Sequence, residues 1–216
     1  MVENVKTGSA VGDTTAGAGH RRAERRRAQR RSLIIAACEE QLAETGLAGT
    51  TLASVGDRVG LSKAALYYYV DGRDELLALV LDDALRAIRA DAAAAVTADA
   101  SPVDELRAFA NAHVLAAVER PAGPMIISNV DYLAAHDRTA ELLHDHELHA
   151  RAIIERGVVA GLLRPVPPVV ASTAFFGALN TLCRAYDPDG SLALGEMIDA
   201  TLDLLLGGWA DPTGAG

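Results

Sequence analysis

Aromatic side chains are scarce. Phe, Trp and Tyr make up only 4% of the 216 residues, so the core must be assembled from Ala, Leu, Val and Ile. Only two cysteines occur, Cys38 and Cys183, which excludes a disulfide-stapled scaffold. Both fall on apolar faces of helices expected in different domains, and they read as buried, reduced thiols of a cytoplasmic protein. No apolar run approaches the ~20 residues that span a bilayer, so no membrane association is expected. Residues 1–20 are rich in Gly, Thr and Ala and lack an apolar h-region. They are expected to be a disordered tail rather than a secretory signal. The chain also lacks sustained two-residue alternation, a Gly-rich phosphate loop, a nucleophile elbow, a paired-Cys metal motif and any cofactor fingerprint. Asp131, Asp137, Glu141 and the histidines could form an acid–base site on paper. Such a site would leave residues 21–77 unexplained, so neither enzymatic activity nor a cofactor is expected.

What is present is helix-forming sequence and an uneven charge. Hydrophobic residues make up 50% of the chain, and runs such as DAAAAV (91–96) favour helix over strand. The fold class is therefore all-α. The net charge of −9 is divided unequally: residues 1–80 hold eleven Lys/Arg and ten Asp/Glu, residues 81–216 nine and nineteen. Seven of the basic residues are Arg21, Arg22, Arg25, Arg26, Arg27, Arg30 and Arg31. An acidic body with a basic end suits a protein whose basic end meets a polyanion and whose remainder is repelled by it.

The segment directly after that basic stretch has the pattern of a helix–turn–helix. Thr50 and Thr51 can cap a helix carrying Leu52, Val55 and Val59 at helical spacing. Gly60 supplies the turn, and Ser62 caps a second short helix that is small at its start and aromatic at its end, KAALYYY (63–69). Small side chains at a helix start let backbone and base edges approach each other in the major groove. Hydroxyl-bearing aromatics and cations around it grip phosphates. The expected helices are 25–45 with Gly46 as a left-handed cap, 51–58, 62–68, 73–95, one from Ser101-Pro102, 125–133, 138–159, 169–186 and 192–209. They divide the chain into a tail (1–20), a three-helix DNA-binding domain (21–80) and a six-helix domain (81–216).

From LIIAA (33–37) through ETGL (44–47) to LL (76–77), the motifs occur in the order and register that resemble the TetR family of bacterial transcriptional regulators. The resemblance implies that Thr51, Lys63, Tyr67, Tyr68 and Arg73 meet phosphates of double-stranded DNA. It places Ala53, Ser62, Ala64 and Ala65 opposite bases. Val70 stands where many members have Phe. Gly56 replaces the usual Ala, at about 1 kcal/mol in helix propensity. The arginine run is expected to reach into the adjacent minor groove. The last two helices, with the small residues Ala171, Ala174, Gly177 and Ala178, are expected to pair with a second copy as a four-helix bundle. The implied protein is a homodimeric regulator, a repressor, that binds a palindromic operator and is released by a small, largely apolar effector.

For the effector site, residues of the middle helices are candidates: Phe109, His113, Met125, Asn129, Tyr132, His146, His149, Phe176 and Asn180. A mostly apolar cavity with a few polar anchors is what small-molecule sites look like. His146 and His149 share a helix face and could meet His113 around a metal, whereas His144 and His146 cannot both ligate one ion. Metal is not the expected ligand. A metal-responsive regulator and an architectural DNA binder without effector are the alternative readings. Residues 161–195 weakly resemble the branch of the family that answers to acyl-CoA ligands, through GLLRP (161–165), Asn180 and RAYDPDG (184–190).

Overall fold

The computed structural model describes residues 13–209, with side chains described for 19–207. Ten helices and no strand are present among these residues: α1 (Asp13–Gly49), α2 (Leu52–Val59), α3 (Lys63–Leu66), α4 (Arg73–Ala95), α5 (Pro102–Glu119), α6 (Gly123–Ser128), α7 (Val130–Ala134), α8 (Asp137–Val159), α9 (Pro168–Ala185) and α10 (Leu194–Trp209).

The expectation of a disordered tail falls partly outside the described residues, at 1–12. Residues 13–20 are instead the first turns of α1, which carries the arginine run as helix rather than as an extended arm. Gly46 breaks α1 with φ 65° and ψ −171°. Few residues other than glycine adopt that backbone. The Thr50 hydroxyl donates to the Gly46 carbonyl at 2.8 Å, while Thr51 alone caps α2 in a capping box with Ser54. Gly60 ends α2 in the left-handed region, and the Ser62 hydroxyl accepts from the Ala65 N–H to start α3. Regular α3 ends at Leu66, and residues 67–69 continue as tight turns.

Leu66, Val55, Leu52, Ile34, Cys38 and Leu42 interlock with Leu76 and Val80 at the start of α4, forming the core of the head. Further along the same helix, Leu81, Leu85 and Ile88 enter a second core with Leu106, Phe109, Ile153, Phe175 and Leu202. Helix α4 thus belongs to both units, and the boundary expected at residue 80 falls within it. The body has seven helices rather than six, because the stretch expected as one helix over 125–133 is broken at Asn129 (φ −125°, ψ 24°). The Asn129 amide donates to the Met125 carbonyl at 2.8 Å across that break.

Candidate DNA-binding surface and central cavity

At the head's surface, α2 and α3 present a small, polar and hydroxyl-rich face. Ala53, Ser62, Lys63 and Ala64 are exposed, and Ala65 is half-buried. Tyr67 and Tyr68 are 50% and 68% exposed although Leu66 beside them is fully buried. The Tyr68 ring packs edge-on against Tyr69, and the Arg27 guanidinium lies 5.3 Å from its centroid. A groove lined by Arg22, Arg26, Arg30, Tyr68 and Tyr69 runs between the arginine-bearing part of α1 and the end of α3. Basic and phenolic groups therefore flank the small-residue face, an arrangement that grips phosphate while leaving room for base edges. Arg58 faces the other way. It binds Gln41 at 2.6 Å, Glu40 at 3.3 Å and Glu44, pinning α2 to α1.

Arg73 departs from the expected phosphate contact. Its guanidinium donates to the Thr50 carbonyl at 2.8 Å, to the Leu47 carbonyl, and to the Tyr132 hydroxyl at 3.2 Å. The α1–α2 connection places two outward-facing carbonyls at that point, and a bidentate donor at the start of α4 satisfies both. Arg73 is a joint between head and body. A second joint is Arg120, at the end of α5, which binds Glu39 of α1 at 2.6 Å and Asp83 of α4 at 2.7 Å. Nothing in the sequence pattern marked Arg120, because its partners lie 81 and 37 residues away.

The body holds a cavity of about 380 Å³ between α4, α5, α6, α8 and α9, open to the surface beside Thr173 and Gly177. Four of the nine candidate residues line it: His113, His146, Phe176 and Asn180. Phe109 is fully buried just behind them, its ring 4.9 Å from that of His146 and 6.2 Å from Phe176. The other four do not line it. Met125 packs against the head's core, Asn129 caps its own helix break, and Tyr132 meets Arg73. His149 is exposed, with its ring 5.4 Å from Phe109. Ile126 and Ile127, unmarked in the sequence, line the cavity together with Leu81 and Leu85.

The polar wall is a hydrogen-bond chain. His113 Nδ1 lies 3.2 Å from His146 Nε2, and His113 Nε2 lies 3.0 Å from Asn180 Oδ1. With the Asn180 oxygen accepting, His113 is protonated on Nε2 and accepts from His146 Nε2–H through Nδ1. His146 Nδ1 is then a buried acceptor without a partner among the described residues. Burial pushes the His113 pKa below its ordinary value, against the opposing effect of its bond to Asn180. Burial pushes His146 well below, assisted by His113, Arg89 and His149. Both rings are neutral at neutral pH. Glu147, also on the wall, accepts from the Ser172 hydroxyl at 2.7 Å and lies 3.4 Å from Arg151. No group of three or more His, Cys, Asp or Glu side chains is placed to hold a metal ion among the described residues. Burial also raises both thiols, Cys38 to about 12 and Cys183 to about 11, so neither is a ready nucleophile.

Residues 34–80 match the family model for bacterial regulatory proteins of the tetR family, and residues 99–209 match the model for the tetracyclin repressor-like C-terminal domain. The chain belongs to the TetR family. It is a DNA-binding transcriptional regulator and not an enzyme. The HTH-type transcriptional regulator BetI of Paraburkholderia xenovorans is 36% identical over 98 residues, 45% of this chain and 49% of that protein. The chain thus spans about half the length of this curated relative. The crystal structure of the TetR family regulator PfmR from Thermus thermophilus is 30% identical, covering 80% of this chain and 96% of that one, with a TM-score of 0.62. AibR in complex with isovaleryl coenzyme A and operator DNA shares the fold at 20% identity, covering 82% and 98% of the two chains with a TM-score of 0.68.

Proposed function

We propose that this TetR-family protein is a homodimeric repressor, released from a palindromic operator by a small, largely apolar effector bound in the central cavity. The observation that carries the reading is the position of α6. Its Gly123, Ile126 and Ile127 line the cavity, while Met125 and Ile126 pack against the core of the DNA-binding head. A ligand that displaces Ile126 therefore pushes directly on the head. The Arg73 and Arg120 joints also tie the head to the body. Release requires that the effector bind the DNA-incompetent conformation more tightly than the competent one.

In this reading Thr51, Lys63, Tyr67 and Tyr68 contact phosphates, and Ala53, Ser62, Ala64 and Ala65 face bases. Arg73 holds the head instead of the DNA. Exposed Val169 and Val170 on α9 and Leu204 on α10 support pairing of these helices with a second copy. Two heads are needed because one short helix reads too few base pairs for useful specificity. AibR, of the same fold, is known with both a ligand and operator DNA, which supports the two-site reading.

Selection of genomic fragments by the purified protein tests this. A palindrome with half-site centres about 34–36 Å apart is expected. Binding without sequence preference would sink the repressor reading in favour of an architectural role.

A further inference from the structure

We propose that the effector is an uncharged, mostly apolar molecule with one oxygen acceptor, an alcohol or a ketone rather than a carboxylate or an acyl thioester of a nucleotide, held by the Asn180 amide. This rests on the reading of the central cavity as the effector site.

Three features of the wall support it. First, no Lys or Arg side chain lines the cavity, and the charged group that does is Glu147, a carboxylate. A carboxylate or phosphate ligand would enter without an ion-pair partner on the wall and lose its hydration. Arg151 does not supply one, because it lies within reach of both Glu147 and Ser172. Second, the remaining polar wall is the chain from Asn180 through His113 to His146. Both rings are neutral, so they offer hydrogen bonds and no charge. Third, the chain has a free donor at one end. With Oδ1 accepting from His113, the Asn180 amide nitrogen makes no hydrogen bond among the described residues. An oxygen acceptor on the ligand completes it. Leu81, Leu85, Ile126 and Phe176 enclose the remainder and demand an apolar body.

Four probes with the same eight-carbon skeleton separate the possibilities: octan-1-ol, octan-2-one, octanoate and octanoyl-CoA, at pH 8. Each is titrated into the full chain, with the thermal midpoint and heat of binding as readouts. Asn180→Leu removes the amide at similar volume. Gly177→Leu places a large side chain at an exposed position on the cavity's rim. The alcohol and ketone are expected to raise the midpoint, to bind about five- to tenfold more weakly to Asn180→Leu, and to lose binding in Gly177→Leu. Unchanged alcohol and ketone affinity in Asn180→Leu overturns the assignment of the amide. Octanoate or octanoyl-CoA binding as tightly as the neutral probes, and lost in Gly177→Leu, overturns the ligand class while leaving the cavity as the effector site. No response to any of the four overturns both.

Discussion

In the head, a Cβ added at Gly56 would lie 2.5 Å from the Leu61 carbonyl oxygen, and Leu66 below it is fully buried. In the body, Gly177 is exposed at the cavity's rim, where an added Cβ would meet nothing within 4 Å, and Phe176 next to it borders a cavity of about 380 Å³. The head is closed: four short-range devices, the Thr51 capping box, Gly60, the Ser62 cap and the Leu61–Gly56 contact, fix its shape before any ligand arrives. The body keeps open space at its centre, walled by a polar chain that lacks a partner at each end among the described residues, at His146 Nδ1 and at the Asn180 amide nitrogen. In the proposed reading, a surface that matches a fixed DNA spacing needs rigidity, and a site that accepts a small molecule needs room.

Truncating one large side chain in each region gives the largest expected contrast. Leu66→Ala should cost about 2–5 kcal/mol, because a tightly packed site collapses poorly around the hole. Phe176 is only half-buried, so Phe176→Ala gives up less buried apolar surface and should cost about 1–2 kcal/mol. Urea denaturation of both variants checks this, and the reverse order would break the comparison.

Two cations on the head come next. Lys63 is exposed, whereas Arg73 is tied to Thr50, Leu47 and Tyr132. Arg73→Ala should lower stability by about 2 kcal/mol, since hydrogen bonds from a charged donor to part-buried carbonyls are stronger than neutral ones. Lys63→Ala should leave stability unchanged, weaken DNA binding across sequences and flatten the salt slope by about one unit. A salt slope that flattens for Arg73→Ala, without loss of stability, would return Arg73 to the DNA surface.

Arg73 also shows where sequence reading stops. The helix–turn–helix was legible because Thr51, Gly60 and Ser62 act within three or four residues of themselves, and local chemistry of that kind is written in order along the chain. Arg73 was assigned to phosphate by resemblance, but its partners are 23, 26 and 59 residues away. Of the cavity wall, His113, His146, Phe176 and Asn180 stood out as polar or aromatic residues on apolar helices. Their assembly into one hydrogen-bond chain depends on separations of 33 and 67 residues, which no local pattern records. Tyr132 and Met125 carried the same signal yet face the joint and the head, through contacts with Arg73 and with the head's core that no local pattern records. Gly56 read as a loss of helix propensity, and only the approach of Leu61 reveals that its missing Cβ is required.

That glycine pair gives a smaller contrast with opposite signs. Gly56→Ala gains helix propensity but forces a backbone carbonyl aside, and should destabilise by about 1–2 kcal/mol net. Gly177→Ala meets no obstacle inside α9 and should stabilise by about 0.5–1 kcal/mol. Thermal midpoints moving in opposite directions would support the contrast. A stabilised Gly56→Ala would show that α2 and the turn can relax, and that the head is less closed than its geometry indicates.

Acid should separate the two regions most finely. His113 and His146 are held neutral by burial, below the ordinary histidine value near 6.5, and His146 also faces the charges of Arg89 and His149. The unfolded chain binds those two protons at a higher pH than the folded one. Their contribution to stability is therefore complete above about pH 6.5 and declines as pH falls from there toward the lowered folded values. In the head, the described histidine is His20, which is exposed and paired with Glu24 at 2.9 Å rather than buried. Amide hydrogen exchange at pH 7.5 and 5.5, corrected for intrinsic rates, should show protection falling in α5 and α8 before it falls in α1 and α2. His113→Gln, which can keep a hydrogen bond to Asn180 without titrating, should reduce that difference. Equal loss in head and body would mean that the cavity wall is not where acid acts first.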